Sequence, residues 1–244
     1  MADLFNYLLS GQRASELSAA NTTLMLGADC RWALEIPAAL GLPDRLLGRL
    51  IEPGTPLGPL ADGVRDDTGL DAPLVATCGH DTSAAVAAVP AEGDDWAFLS
   101  CGTWGILGGL IDRPITTEHC RLAGFTNEYT VGGWYLARNT LGLWLLQQLR
   151  RKWDTPDDHW TYDRLAAEAA AAVPCGVFVV SSYPDLLAPS DMEKAMLAQL
   201  DRSGQAPPTG RGALARAVIE GLALEYAVQM DCLAQITGRS FDRL

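Results

Sequence analysis

Apolar and polar positions alternate along the chain in patterns that predict helices mixed with short strands. Apolar residues at helical spacing, followed by stop signals, predict helices over residues 1–9, 141–153 and 213–237. Short apolar runs predict strands at residues 74–77, 96–100, 104–111, 134–136 and 176–180. We expect the strand at 74–77 to be buried, and the two runs flanking Cys101-Gly102-Thr103 to form a hairpin.

A domain boundary is predicted where a helix of small residues ends. Residues 82–89 are small and helix-forming, and Pro90 stops the pattern. The segment 91–95 that follows is acidic and has the composition of a linker. We therefore predict two domains, residues 1–92 and residues 93–244.

The composition argues against several classes of protein. The chain has 244 residues, and 48% of them are hydrophobic, which is enough for a sizeable core. Its net charge of −12 repels nucleic acid, although Mg²⁺ and backbone N–H groups can still hold a nucleotide on such a protein. The six cysteines have no C-x-x-C spacing, which argues against zinc and thioredoxin-type sites. With no leader pattern and no apolar run near the roughly 18 residues of a membrane span, we expect a cytoplasmic protein without a membrane partner.

One motif, Cys78-Gly79-His80-Asp81-Thr82, stands where a strand-like run ends and a helix begins. The helix dipole and free N–H groups at that point favour an ionised carboxylate. Asp81 is therefore suited to accept a hydroxyl proton during phosphoryl transfer, but Asp is also a very common helix N-cap. His80 has the same ambiguity, because most histidines in such places are packed and hydrogen-bonded rather than ligand-binding.

A second motif, Ser100-Cys101-Gly102-Thr103-Trp104, is a tight turn of small residues. A Gly-Thr turn lets backbone N–H groups and a hydroxyl approach a phosphate closely, although most such turns bind nothing. Asn139 lies just before the predicted helix 141–153, and Gln147 lies on it. Taken alone, these two side chains are interpreted as a helix cap and part of a solvated face.

Together and in this order, the motifs resemble the FGGY family of carbohydrate kinases, most closely its rhamnulokinase branch. The matching segments are CGHDTSAAV at residues 78–86, SCGTW at 100–104, FTNE at 125–128 and RNTLGLWLLQ at 138–147. Weaker matches extend the resemblance over nearly the whole chain. The combination at these spacings is specific to the family, whereas one motif alone is not.

The resemblance implies an α/β protein with a partial actin-like (ribonuclease H-like) ATPase fold, made of pieces of two domains around a cleft. Residues 1–92 would be the C-terminal part of the sugar-binding N-terminal domain. Residues 93–244 would be the N-terminal part of the nucleotide-binding C-terminal domain. The cofactors implied are ATP and Mg²⁺, and the partners are a small sugar and ATP.

The resemblance also implies a role for each matching residue. Asp81 is the general base that takes the proton of the sugar hydroxyl. The sugar-binding residues are His80, Asp81, Thr82 and Asn139. The nucleotide-binding residues are Thr103 and Gln147, and no residue is assigned to a metal ion. Two departures affect the local geometry, because Gly105 stands where the branch usually has Ser and Tyr129 where it usually has Gly.

Members of the family are considerably longer than this chain. They begin with a strand that carries an Asp-Gly-Thr or Asp-Gly-Ser phosphate loop. They also continue beyond the segment matching Phe241-Asp242-Arg243-Leu244 into a strand and a Gly-Gly-Gly nucleotide loop. Met1 aligns with an internal methionine of the branch. The resemblance therefore predicts an internal fragment that corresponds to the middle half of a kinase.

Two hypotheses follow from the resemblance and its gaps. The first is an ATP-dependent ketose kinase that converts L-rhamnulose to L-rhamnulose 1-phosphate, with L-fuculose or another deoxyketose as the alternative substrate. The second is a non-catalytic fragment, or a split half that needs a partner chain. A generic actin-like ATPase is disfavoured because it would not require both the GHDT motif and the helix signature that ends at Gln147. The sequence leaves the oligomeric state open.

Overall fold

A computed structural model describes residues 1–93 and 95–244 of the chain. Asp94, which belongs to the acidic segment predicted as the domain boundary, lies outside the described residues. The chain forms two compact units. Unit 1 contains residues 1–96, 109–121 and 126–137, and unit 2 contains residues 97–108, 122–125 and 138–244. The boundary between 92 and 93 stays a prediction, because a compact unit is not the same as a family domain.

Helices and strands interleave along the whole chain. The helices are α1 (Ala2–Ser10), α2 (Leu17–Asn21), α3 (Glu35–Ala39), α4 (Asp62–Thr68), α5 (Asp81–Ala87), α6 (Glu118–Leu122), α7 (Trp144–Trp153), α8 (Tyr162–Ala171), α9 (Met192–Arg202) and α10 (Arg211–Thr237). The strands are β1 (Ser15–Glu16), β2 (Leu50–Ile51), β3 (Pro56–Pro59), β4 (Pro73–Val75), β5 (Ala97–Cys101), β6 (Trp104–Ile111), β7 (Thr126–Thr130) and β8 (Gly133–Leu141).

The strands form two short pairs and one larger sheet. β1 pairs with β2 in parallel, and β3 pairs with β4 antiparallel with a register shift between Pro56 and Gly58. The larger sheet has the order β5-β6-β8-β7. Because only Gly102 and Thr103 separate β5 from β6, the two strands form the predicted hairpin. β7 and β8 are antiparallel, with Thr126 opposite Ala137 and Thr130 opposite Gly133.

The long helices agree with the sequence pattern. α1 ends at Gly11 with φ 73°, and α10 ends at Gly238 with φ 67°, both left-handed conformations that glycine adopts without steric cost. The helix predicted from residue 141 begins instead at Trp144, because Leu141 is the last residue of β8. None of the helices in the described part of the chain is long and apolar enough to span a bilayer.

Two strand predictions need correction. The strand near 74–77 forms as β4, but it is not buried, since Pro73 and Val75 are exposed and Leu74 is only partly buried against the core cluster that contains the following Ala76. Residues 176–180 were predicted to be a strand, and that prediction is wrong, because this segment has no strand assignment. Its backbone is paired by side-chain amides. Gln205 bonds both the N–H and the C=O of Phe178, and Gln199 bonds both of those groups in Val180.

Candidate active site

In unit 1, the loop before α5 is held by the junction of β1 and α2. The carboxylate of Glu16 is completely buried and accepts the backbone N–H of Gly79 at 2.7 Å. The hydroxyl of Ser18 accepts the backbone N–H of His80 at 3.2 Å. A Cβ on Gly79 would lie 2.9 Å from the Cβ of Ala19, so the close approach requires glycine. The backbone that leads into Asp81 is therefore fixed on two sides.

Asp81 is the first residue of α5, and its carboxylate faces solvent. The side chain is 98% exposed, and its Oδ1 accepts only the N–H of the next residue, Thr82, at 2.7 Å. The N-cap position belongs to His80, which makes no capping bond through its side chain. The interpretation of Asp81 as an ordinary N-cap is therefore wrong, since a cap accepts an N–H two or three residues further along. The carboxylate is free to meet a ligand.

His80 lies between two carboxylates of unit 1. Its Nε2 is 3.6 Å from Oδ1 of Asp81, and its Nδ1 is 3.4 Å from Oε2 of Glu128. Nδ1 also lies 3.1 Å from the hydroxyl of Ser83. The imidazole is thus held on its Nδ1 side, and about a quarter of the side chain is exposed.

Behind His80 is a set of buried hydroxyl groups that sequence reasoning did not connect to the site. Tyr135 is fully buried and donates to Oε2 of Glu128 at 2.6 Å, and its hydroxyl lies 3.2 Å from that of Ser83. Burial, followed by the hydrogen bond to Glu128, raises the pKa of Tyr135 above its ordinary value. Thr130 donates to the carbonyl of Ser83 at 2.7 Å and so fastens α5 to β7. Two members of this set had a signal in the sequence, Glu128 as the last residue of FTNE and Ser83 within CGHDTSAAV.

Tyr129 stands where the branch usually has Gly, and its side chain has a defined place in unit 1. The phenol is buried, packs edge-on against Trp134 at a centroid distance of 5.2 Å, and donates to Oε2 of Glu52 at 2.6 Å. Burial and the Glu52 carboxylate raise the pKa of Tyr129. This departure from the family pattern therefore adds a structural hydrogen bond and leaves His80 and Asp81 untouched.

In unit 2, the Gly102-Thr103 turn is bound to the start of α7. The carbonyl of Thr103 accepts the N–H groups of Gly142 and Trp144 at 3.0 and 3.2 Å, and the carbonyl of Gly102 accepts that of Leu143 at 2.8 Å. The N–H groups at the start of α7 are therefore bonded to the turn. The hydroxyl of Thr103 is exposed and is a group that the turn offers to a phosphate.

Thr103 and Gln147, which are 44 residues apart in sequence, are in contact. The Gln147 amide donates from Nε2 to the Thr103 hydroxyl at 3.3 Å, and its Oε1 lies 3.5 Å from the same oxygen. The two residues that the resemblance assigns to the nucleotide are thus brought together. Asn139 is exposed on β8 and does not cap a helix, so that local interpretation is wrong.

Three glycines of unit 2 near this turn have different roles. A Cβ on Gly142 would lie 2.6 Å from the carbonyl oxygen of Gly102, and one on Gly105 would lie 2.2 Å from the hydroxyl of Tyr226. These two glycines are required by packing, and Tyr226 fills the space that the usual Ser side chain would need at 105. A Cβ on Gly102 would meet only the carbonyl of Trp104, at 3.9 Å. Packing in unit 2 therefore leaves room for a side chain at Gly102.

A mostly apolar cavity of about 200 Å³ adjoins Gln147 in unit 2. It is lined by residues of α7, α8 and α10, including Leu146, Leu165 and Ile219, and by the Leu143 that precedes α7. Mostly apolar walls with a few polar groups are the usual lining of small-molecule pockets. Gln147 thus adjoins both this cavity and the Thr103 hydroxyl, an arrangement compatible with the base and a phosphate of a nucleotide.

The acidic groups in the described part of the chain form no cluster of metal-binding side chains. Within residues 1–93 and 95–244, no group of three or more His, Cys, Asp or Glu side chains is arranged to hold a metal. Mg²⁺ in phosphoryl-transfer sites is commonly held by one or two carboxylates together with the substrate phosphates. The carboxylates in the described part of the chain are compatible with that arrangement, in which the nucleotide supplies most of the ligands to the Mg²⁺ ion.

Comparisons with known proteins agree with the motifs. The sequence model that defines the C-terminal domain of the FGGY family of carbohydrate kinases matches residues 97–244 of this chain. A rhamnulokinase from Bacteroides thetaiotaomicron is 36% identical over 100% of this chain and 50% of its own length. The chain thus spans about half the length of the curated relatives it matches.

Solved structures show the same fold. A Brucella ovis protein described as a xyloylose kinase superposes with a TM-score of 0.74 at 19% identity, covering 98% of this chain and 48% of that protein. A glycerol kinase from Plasmodium falciparum, solved with ADP, gives 0.71 at 16% identity, with 98% and 47% covered. The predicted fold is confirmed: the chain has part of the actin-like α/β fold of sugar kinases.

Proposed function

Because the chain belongs to the FGGY family of carbohydrate kinases, we propose that it carries the sugar-binding loop and part of the nucleotide site of an ATP-dependent sugar kinase. The observation that carries the proposal is the exposed carboxylate of Asp81. It stands at the N-terminus of a helix whose preceding backbone is fixed by buried groups, and it makes no capping bond. This is the arrangement that a positioned general base requires.

L-Rhamnulose is the substrate that we propose, and L-rhamnulose 1-phosphate is the product. The support is the 36% identity to a rhamnulokinase, which extends over the whole chain. L-Fuculose, or another deoxyketose, is the alternative substrate within the same chemistry. Comparing kcat/KM for L-rhamnulose and L-fuculose separates the two, because the preferred sugar has the higher ratio.

In the proposed reaction, Asp81 accepts the proton of the terminal sugar hydroxyl. The hydroxyl oxygen forms a bond to the γ-phosphorus of ATP while the bond from that phosphorus to the β–γ bridging oxygen breaks, and ADP leaves. Thr103 hydrogen-bonds a phosphate oxygen, and Gln147 orients the Thr103 hydroxyl. Mg²⁺ bound with the nucleotide neutralises phosphate charge. His80, Thr82 and Asn139 bind the sugar.

Asp81→Asn tests the base in a protein that carries this chain within the full length of the family. We expect kcat to fall by roughly 10²–10⁴, the usual contribution of a general base, while ATP binding is retained. Asp62→Asn is the matched control, because Asp62 is also an exposed first residue of a helix, α4, and lies outside the proposed site. Turnover of Asp81→Asn close to that of the control contradicts the assignment.

The competing proposal is that this chain alone is non-catalytic, or is half of a split protein. The observation that favours it is that the chain covers only half the length of its rhamnulokinase relative. Calorimetry of the isolated chain with Mg-ATP, followed by a turnover assay, distinguishes the two. We expect neither tight binding nor turnover from the isolated chain, since phosphoryl transfer depends on complete positioning of both substrates. Turnover by the isolated chain contradicts this second proposal.

A further inference from the structure

A continuous line of hydrogen-bonding groups runs from His80 into the interior of unit 1. Nδ1 of His80 is 3.1 Å from the Ser83 hydroxyl, which is 3.2 Å from the Tyr135 hydroxyl. The Tyr135 hydroxyl is in turn 2.6 Å from Oε2 of Glu128. Ser83 and Tyr135 are both fully buried, so no bulk water competes for their protons.

The single proton on each hydroxyl limits which groups donate and which accept along this line of hydrogen bonds. An ionised carboxylate can only accept, so Tyr135 gives its single proton to Glu128. The Tyr135 oxygen can then accept the single proton of Ser83. With its own proton engaged in this way, the Ser83 hydroxyl can only accept from Nδ1 of His80. The approach of Nδ1 to Oε2 of Glu128, at 3.4 Å, favours the same proton position. The Asp81 carboxylate, 3.6 Å from Nε2, favours the opposite position more weakly, because it is 98% exposed and water screens its charge, whereas Glu128 is only 16% exposed. Burial raises the pKa of Tyr135, which keeps the phenol protonated.

We propose that Glu128, with Tyr135 and Ser83, is a positioning residue that fixes the tautomer of the His80 imidazole, with the proton on Nδ1. In that tautomer, Nε2 presents a lone pair, 3.6 Å from the Asp81 carboxylate. Two acceptors therefore stand side by side. Resting on the proposed function, this arrangement selects a sugar that offers two neighbouring hydroxyl protons, one for Asp81 and one for Nε2.

Nitrogen NMR of the chain labelled with ¹⁵N-histidine tests the tautomer directly. The chain has three histidines, and the exposed His119 is the internal reference for a ring in water. At a pH where the rings are neutral, we expect Nε2 of His80 to give the signal of an unprotonated nitrogen. A spectrum in which His80 is mainly protonated on Nε2 overturns the proposal.

Variants test the cause of that tautomer. In Glu128→Gln and in Tyr135→Phe, we expect the Nδ1-protonated fraction of His80 to fall toward that of His119. Tyr129→Phe is the matched control, because this buried phenol bonds to Glu52 and not to the His80 network, and it should leave the tautomer unchanged. Circular dichroism identifies which variants fold. An unchanged tautomer in the folded variants overturns the proposal, and if neither variant folds, the wild-type spectrum decides.

The NMR experiment contains no sugar and no nucleotide, so its failure is distinct from failure of the proposed function. In an active kinase that carries this chain, Glu128→Gln should raise KM for the ketose about tenfold, the effect of one lost hydrogen bond, with KM for ATP unchanged. Equal changes in both KM values overturn the positioning role. If His80 carries its proton on Nδ1 and the Asp81→Asn variant keeps full turnover, the proposed function alone is contradicted.

Discussion

Gly105→Ala is expected to destabilise unit 2, because Tyr226 already occupies the space of the new methyl group. The added Cβ would lie 2.2 Å from the Tyr226 hydroxyl and 2.9 Å from ring atoms Cε1 and Cζ. The phenol is 8% exposed and has little room to retreat. Overpacking of this kind costs about 1–3 kcal/mol of unfolding free energy. For a chain of this length, each kcal/mol lowers Tm by about 2–4 °C.

Urea denaturation measures the loss, and a double mutant identifies its source. Tyr226→Phe removes the nearest atom and leaves only the 2.9 Å contacts, so Gly105→Ala should cost less in that background, with a coupling of about 0.5 kcal/mol or more. Gly102→Ala in the same turn is the control, because its Cβ meets nothing nearer than 3.9 Å and should change stability by less than about 0.5 kcal/mol. A stable Gly105→Ala, or no recovery with Tyr226→Phe, refutes the reasoning.

Two further predictions concern buried and charged groups of unit 2. Both amide atoms of Gln229 are buried without a partner among the described residues, so Gln229→Leu should raise the unfolding free energy by about 1–3 kcal/mol, whereas Gln199→Leu should lower it because Gln199 bonds Val180. Equal effects in urea denaturation would contradict this difference. The Arg164 guanidinium, with Trp160 and Arg211, holds the pKa of Asp158 down to about 2. Its stabilising effect is therefore present above the ordinary Asp pKa of about 4 and is lost as the pH falls toward 2. When the free energy of unfolding is measured as a function of pH, it should fall less on acidification in Asp158→Asn than in the wild type. An equal fall in both would contradict the role given to the Asp158 carboxylate.

The sequence pattern correctly predicted helices whose start and stop signals lie close together in the chain. α1 and α10 appear with their glycine C-caps, since a stop signal lies within a turn of the helix that it ends. The pattern failed at residues 176–180, where the apolar run suits a strand but side-chain amides of Gln199 and Gln205 take the place of a partner strand. It also placed the start of α7 too early, because Leu141 continues the apolar run of β8.

The residues of the candidate site were predictable from the sequence where they belong to a family motif. They were not predictable where contacts between residues far apart in the chain bring them to the site. His80, Asp81, Thr103 and Gln147 came from motifs, and the structure places Thr103 and Gln147 in contact. Glu16 was missed, because its bond to Gly79 joins residues 63 positions apart and no local spacing encodes it. Tyr135 was missed for the same reason, because its hydroxyl meets that of Ser83 across 52 positions of the chain.

The pairing of residues 176–180 by glutamine side chains also bears on aggregation. Val177-Phe178-Val179-Val180 is apolar and β-prone, and such a segment with free backbone groups recruits strands from other chains. Gln205 and Gln199 occupy the N–H and C=O groups of Phe178 and Val180, and the N–H of Val179 bonds to the carbonyl of Ala217 on α10. The two glutamines thus keep these backbone groups from pairing with strands of neighbouring molecules. Their loss would expose those groups before the rest of the unit unfolds.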